Sequence, residues 1–108
     1  MRRVEQGLIL AAGRGTRLHP LSGIFPKPLH PVCNKPIMQY QIEAMRAAGI
    51  EEIAIVLGPS GGAIRAFFGT GARLGVRLHY IADPAPSGIA SSLACAEGWV
   101  RGPFAVFL

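Results

Sequence analysis

Short apolar runs alternate along the chain with segments in which apolar residues recur every three or four positions. Four runs predict strands, at residues 7–11, 53–57, 76–81 and 104–108. Continuous apolar runs of this length are typical of strands covered on both faces, and the run at 76–81 alternates instead. The segments between the runs predict three helices, which begin after Asn34, at Ala63 and after Ser87.

The first and last helices are predicted from their caps and apolar faces. Asn34 is a suitable N-cap for the first, Pro36 fits its first turn, and Gly49 fits a left-handed position that ends it. Its apolar face carries Met38, Ile42 and Met45. Ser87 is expected to cap the last helix. The apolar face of that helix carries Ile89, Leu93, Ala96 and Val100. Trp99, at the end of the helix, is expected to pack on the sheet.

The order β-α-β-α-β-α-β predicts an α/β fold, a Rossmann-like parallel sheet with helices on both faces and right-handed crossovers. We expect residues 1–108 to form one unit without an internal boundary. Such sheets bind ligands beyond the carboxyl ends of their strands, where the strand order reverses. The chain stops at Leu108 inside a predicted core strand, so we expect a fragment of a larger domain.

Composition narrows the class of partner. The net charge of +5 comes from 11 Lys and Arg against 6 Asp and Glu, which favours an anionic partner. These cations are scattered rather than clustered, so no nucleic acid is expected. The apolar stretch at 8–12 is too short for a signal peptide or a membrane span, so we expect a cytoplasmic protein with no membrane partner. Cys33 and Cys95 lack metal-ligand spacing and are expected to be reduced and buried.

The candidate chemistry follows the first strand, in LILAAGRGTRLHPL. Gly13 and Gly15 let the backbone approach a ligand closely, and their N–H groups and that of Thr16 can converge on phosphate oxygens. Arg17 adds a planar, permanently charged fork that matches phosphate. An ordinary turn with Arg17 in a surface ion pair is the simpler alternative. The loop is neither a P-loop nor a dinucleotide fingerprint, because Leu18 replaces the third glycine.

Residues 10–56, LAAGRGTRLHPLSGIFPKPLHPVCNKPIMQYQIEAMRAAGIEEIAIV, resemble the N-terminal half of sugar-phosphate nucleotidylyltransferases, particularly the glucose-1-phosphate thymidylyl- and uridylyltransferase type. The resemblance continues through Ala90. It implies a truncated nucleotidyltransferase (GT-A-like) fold in which this chain is the nucleotide-binding half. The implied reaction joins a sugar-1-phosphate to a nucleoside triphosphate, giving an NDP-sugar and pyrophosphate. A catalytically inactive nucleotide-binding or regulatory module, or an inactive fragment, is the alternative.

The same resemblance implies roles for individual residues. The base and ribose would be held through backbone contacts of Leu10, Ala11, Ala12 and Gly13. The triphosphate would be held by Gly15, Thr16 and Arg17. Lys27 matches the lysine that contacts the reacting phosphates, so Arg17 and Lys27 are the expected catalytic cations. The alternative for Lys27 is a solvated loop lysine, and Lys35 is as easily explained as an exposed residue at a helix start.

The segment 81–90 resembles the place where the family reads the base, and it departs from the family pattern. Asp83 stands where a glutamine is usual. A glutamine amide both donates and accepts hydrogen bonds, whereas a carboxylate only accepts, which suits paired N–H donors such as those of guanine. Gly88 would let the backbone approach the base. Asp83 as a turn residue and Gly88 as a helix-start glycine are the alternatives.

The resemblance also implies Mg²⁺. In the family, the strand matching 104–108 is followed by a Gly-Asp step whose aspartate helps to bind the metal. That aspartate, a second metal carboxylate and a sugar-binding half would all lie beyond Leu108, so no metal ligand is expected within this chain. The sequence leaves open which base and sugar are used, whether this chain alone turns over substrate, and whether it forms homo-oligomers.

Overall fold

The computed structural model describes residues 4–12, 31–32, 35–59 and 61–107. Its elements in chain order are β1 (Gln6–Ala11), β2 (Pro31–Val32), β3 (Lys35–Pro36), α1 (Ile37–Ala47), β4 (Glu52–Leu57), α2 (Gly62–Phe68), a 3-10 turn (Ala72–Leu74), β5 (Arg77–Ala82), α3 (Ile89–Cys95) and β6 (Phe104–Phe107). No helix in these ranges is both long enough and apolar enough to cross a membrane.

Four strands form one parallel sheet in the order β5-β4-β1-β6, and β2 and β3 form a separate small antiparallel pair. The register places Gln6 opposite both Glu52 and Phe104, and Glu52 opposite Arg77. Strands β4 and β5 lie on one side of β1, and β6 lies on the other, so the strand order reverses between β1 and β6. The predicted Rossmann-like parallel sheet is therefore confirmed.

Helices cover both faces of the sheet, because alternate residues of β1 and β4 point to opposite sides. One face packs against α1 and α2, and its buried cluster is Ile9, Met38, Ile42, Met45, Ile50, Ile53, Ile55, Leu57, Ile64, Phe68 and Val76. The other face packs against α3, and its buried cluster is Leu8, Ala12, Ala54, Val56 and Ala96. Small residues dominate this second cluster.

The start of α1 differs from the prediction. Pro36 has φ −60° and ψ 147°, an extended conformation, so it is the N-cap and does not lie in the first turn. The predicted cap, Asn34, lies outside the described residues. Met38, Ile42 and Met45 are buried as predicted. Gly49 has φ +89°, which confirms the left-handed position that ends the helix.

Helix α3 is shorter than predicted. It begins after Gly88, whose φ of +127° is incompatible with a helix, so Ser87 is not its N-cap. It ends at Cys95, which is exposed rather than buried. Ile89 is also exposed, and Val100 lies outside the helix, so the predicted apolar face is wrong at both ends. Trp99 packs against the second cluster, as expected.

The amino ends of the strands are joined by a polar network. Oε1 of Glu52 accepts hydrogen bonds from Nε2 of Gln6 and Nη1 of Arg101, both at 2.9 Å. Oε1 of Gln6 accepts from the backbone N–H of Arg101 at 2.8 Å. Arg77 lies 3.5 Å from the second carboxylate oxygen of Glu52. The hydrogen bonds from Arg101 and Gln6 lower the pKa of Glu52 from 4.5 to about 2.

The two outer strands differ in polarity. The exposed positions of β5 are Arg77, His79 and Ala82, whereas those of β6 are Phe104 and Val106. Within β6, Phe104 is 39% exposed and Val106 is 45% exposed. The β6 side of the described sheet therefore presents apolar side chains to the surroundings.

Candidate functional site

The carboxyl ends of the strands converge at one edge of the sheet. The backbone N–H of Asp83, directly after β5, donates to the carbonyl oxygen of Leu57, the last residue of β4, at 2.8 Å. A Cβ on Gly58 would lie 2.7 Å from the carbonyl oxygen of Ala12 and 3.3 Å from Cγ of Pro86. Only glycine at position 58 therefore allows the end of β1 and the segment after β5 to approach β4 this closely.

Three of the predicted nucleotide-binding residues lie at this edge: Leu10 and Ala11 end β1, and Ala12 follows it. Leu10 and Ala11 pair in register with Val56 and Leu57. The side chains of Leu10 and Ala12 pack on the α3 face, and that of Ala11 packs on the opposite face. Because their side chains are used for packing, any contact with a ligand would come from their backbone, as the sequence implies.

Asp83 is buried at the carboxyl end of β5, with a relative exposure of 3%. Its Oδ2 accepts a hydrogen bond from the hydroxyl of Ser91 at 3.0 Å and another from the hydroxyl of Ser92 at 3.0 Å. These bonds tie the end of β5 to α3. Base recognition by Asp83 stays a prediction.

Gly88 is the N-cap of α3 and has φ +127° and ψ −175°. This region of backbone conformation is almost exclusive to glycine. A Cβ at Gly88 would meet no heavy atom within 4 Å, so the space beside it is open. The helix-start role of Gly88 is thus observed, and the open space is compatible with the close backbone approach that the sequence implies.

The predicted phosphate-binding residues lie outside the described residues. They are Gly13, Gly15, Thr16, Arg17 and Lys27. The backbone of Lys35 belongs to β3. The segment with the glycines and Arg17 follows Ala12 in the chain, and Ala12 lies at the carboxyl edge of the sheet.

The two serines that hold Asp83 were not predicted from the sequence. Ser92 lies three positions after Ile89, on the apolar face expected for α3, and a serine at that position was the available signal. Ser92 is 4% exposed, and a serine this deeply buried needs a hydrogen-bond partner. Asp83 supplies that partner.

The described residues do not form a site for the implied Mg²⁺. They contain no group of three or more His, Cys, Asp or Glu side chains that could hold a metal ion. At the carboxyl edge they place one carboxylate, Asp83, and one of its oxygens is engaged by two serines.

Comparison with known proteins identifies the family. The sequence profile described as Nucleotidyl transferase matches residues 6–108, nearly the whole chain. The chain belongs to the nucleotidyl transferase family. The resemblance found in the sequence is confirmed, and the match includes both β1 and the segment that carries Asp83 and Gly88.

Two curated relatives show the kind of protein involved. The chain is 40% identical over 96 residues to the low-salt glycan biosynthesis nucleotidyltransferase of Haloferax volcanii, covering 88% of this chain and 27% of the relative. It is 45% identical over 85 residues to the glucose-1-phosphate thymidylyltransferase of Streptomyces griseus, covering 79% of this chain and 24% of the relative. The nucleotidyl transferase chain thus spans about a quarter of the length of these relatives.

Solved structures agree with the fold. A UDP-glucose pyrophosphorylase complexed with UDP-glucose superposes with a TM-score of 0.87 at 28% identity, over 98% of this chain and 46% of that one. The UDP-glucose pyrophosphorylase from Acinetobacter baumanii gives a TM-score of 0.87 at 26% identity, over 98% of this chain and 45% of that one. This nucleotidyl transferase chain forms a part of the GT-A-like fold that these neighbours have, because it covers less than half of each of them.

Proposed function

We propose that this chain is the nucleotide-binding half of a sugar-1-phosphate nucleotidylyltransferase. The observation that carries the proposal is the convergence of Ala12, Gly58 and Pro86 at the carboxyl edge of the sheet, beside Asp83. Parallel sheets bind nucleotides at this edge, next to the point where strand order reverses. The names of the relatives, thymidylyltransferase and UDP-glucose pyrophosphorylase, support the same class of reaction.

In the proposed reaction, a phosphate oxygen of the sugar-1-phosphate attacks the α-phosphorus of a nucleoside triphosphate. A new P–O bond forms, the bond between the α- and β-phosphates breaks, and pyrophosphate leaves with its electron pair. Such a transfer depends mainly on positioning and on neutralising charge at the reacting phosphates.

The proposed roles follow the position of each residue along the chain. The backbone from Leu10 to Gly13 would hold the base and ribose. The loop after β1 would hold the triphosphate through Gly15, Thr16 and Arg17. Lys27 and Arg17 would neutralise the charge that develops on the departing pyrophosphate. Both substrates are anions, which accords with the net charge of +5.

Pyrophosphate release tests the proposal directly. The protein is incubated with Mg²⁺, one common nucleoside triphosphate at a time and a panel of hexose-1-phosphates, and pyrophosphate is measured by a coupled assay. Release that requires both substrates is the expected result. Triphosphate binding without release would favour the inactive binding module instead. If no triphosphate binds, both functions are contradicted.

Alanine variants test the two cations. Arg17→Ala and Lys27→Ala are each expected to lower the rate of pyrophosphate release by about 100-fold or more, because a charged donor to the reacting phosphates is lost. Arg73→Ala is the matched control, since Arg73 precedes the amino end of β5 at the opposite edge of the sheet. Equal rates in all three variants would remove Arg17 and Lys27 from the mechanism.

A further inference from the structure

Asp83 occupies a distinctive place at the carboxyl edge. The residues that follow β1, β4 and β5 in the described chain are Ala12, Gly58 and Asp83. Among the described residues, Asp83 is therefore the one ionisable residue that comes directly after a strand of the sheet. Its burial is nearly complete, at 3% exposure, so its carboxylate is oriented by the protein rather than by solvent.

The two oxygens of this carboxylate have different surroundings. Oδ2 accepts from Ser91 and Ser92, each at 3.0 Å, which fills its two lone pairs. Oδ1 receives no hydrogen bond from the described part of the chain. Because no completely buried side-chain oxygen there lacks a partner, Oδ1 keeps a small exposed surface. One acceptor with two lone pairs is thus presented at the ligand edge.

We propose that Oδ1 of Asp83 selects guanine as the base of the nucleoside triphosphate. This inference rests on the proposed function. Guanine carries two adjacent donors on one edge, N1–H and the N2 amino group, and a single oxygen with two lone pairs can accept from both. In uracil and thymine, the ring N–H lies between two carbonyl oxygens, which the carboxylate repels. Adenine and cytosine each offer one amino group next to an acceptor nitrogen.

Ser91 and Ser92 act as positioning residues for this recognition. Both lie in α3, and rotation of the carboxylate to exchange its oxygens would break the two hydrogen bonds that they donate to Oδ2. Ser92 is buried, whereas Ser91 is partly exposed. A carboxylate held in this way offers no donor to the carbonyl groups of thymine.

The test compares the affinity of the protein for GTP, UTP, dTTP and ATP by isothermal titration calorimetry with Mg²⁺. GTP is expected to bind about 10- to 100-fold more tightly than UTP or dTTP, the range of a hydrogen bond to a charged group. Asp83→Asn replaces one acceptor with a donor at nearly constant shape and should reduce the GTP-to-UTP affinity ratio at least about tenfold. Glu97→Gln, which removes the same charge from an exposed position after α3, should leave the ratio unchanged.

The serine variants separate positioning from mere stability. Ser91→Ala should lower the GTP-to-UTP ratio, and Ser91→Thr, which keeps the hydroxyl, should restore it. Circular dichroism checks the fold of each variant, and Ser91→Ala decides the question if Asp83→Asn does not fold. Tight triphosphate binding without a guanine preference overturns the base assignment alone. The failure of every triphosphate to bind overturns the proposed function, and the base assignment with it.

Discussion

At the residue scale, Gly88 shows how one backbone conformation shapes the site. Its φ of +127° turns the chain from the segment after Asp83 into α3. That turn brings Ser91 and Ser92 back to the carboxylate of Asp83. A residue with a Cβ would be strained there even though the surrounding space is open.

Gly88→Ala is expected to lower the free energy of unfolding by about 1–3 kcal/mol, the usual cost of this backbone region for a residue other than glycine. Gly62→Ala is the matched control, because Gly62 begins α2 with equally open space and no positive φ. That control should be neutral or stabilising by up to about 1 kcal/mol. Urea unfolding of both variants measures the difference, and equal effects would contradict the strain argument.

The sequence indicated some site residues and not others, for a physical reason. Asp83 and Gly88 were singled out because the segment 81–90 resembles the place where the family reads the base. Ser91 and Ser92 were missed because their partner lies eight and nine positions earlier, across a turn. The path of a turn depends on positive-φ residues such as Gly88, and sequence spacing does not reveal it.

At the element scale, the types and order of the four main strands and three helices were predictable from apolar patterning alone. The first residues of the helices were less predictable. Pro36 and Gly88 set the starts of α1 and α3 through their own backbone angles, two positions after and one after the predicted caps. The β2–β3 pair was not predicted, since strands of two residues carry no periodicity.

The amino end of β4 provides a prediction about pH. The pKa of Glu52 is about 2 in the folded protein, below its ordinary value of 4.5, so protonation favours the unfolded chain. The stabilisation is complete above about pH 5 and is lost as the pH falls toward 2. Glu52→Gln should cost about 1 kcal/mol at neutral pH and should flatten the acid limb of stability.

Urea unfolding between neutral pH and pH 2 to 3 measures this effect. Glu51→Gln is the control, because Glu51 is an exposed neighbour whose ion pair with Arg46 is longer, at 3.6 Å. Exposed pairs contribute little, so this control should keep the acid sensitivity of the parent protein. If Glu52→Gln and the parent lose stability in parallel, the network does not govern the acid response.

At the scale of the whole molecule, strand order was the feature that the sequence left open. Right-handed crossovers allow each new parallel strand to join either side of the sheet, depending on which face its helix covers. Helices α1 and α2 share one face and α3 takes the other, which puts β6 beside β1. The small residues Ala12, Ala54 and Ala96 on the α3 face fit a close approach of that helix.

The exposed apolar residues of β6 predict self-association of this chain. Val106→Lys places a charge on an edge strand and should weaken any dimer by about tenfold or more, because charged edges resist strand pairing. His79→Lys on β5 is the control and should leave self-association unchanged, since that strand already carries Arg77. Sedimentation velocity over a concentration series measures both, and a monomeric parent chain at every concentration would contradict the prediction.

The difference between the two outer strands determines on which side of the sheet a further strand would pair. A further strand, from a second copy or from additional polypeptide, would pair more readily with β6, whose exposed side chains are apolar, than with β5, which carries Arg77. A strand added next to β6 would bring its loops to the side of β1 opposite to Asp83, which follows β5. In the proposed enzyme, a sugar phosphate bound by those loops would approach the nucleotide from the side of β1 opposite to Asp83.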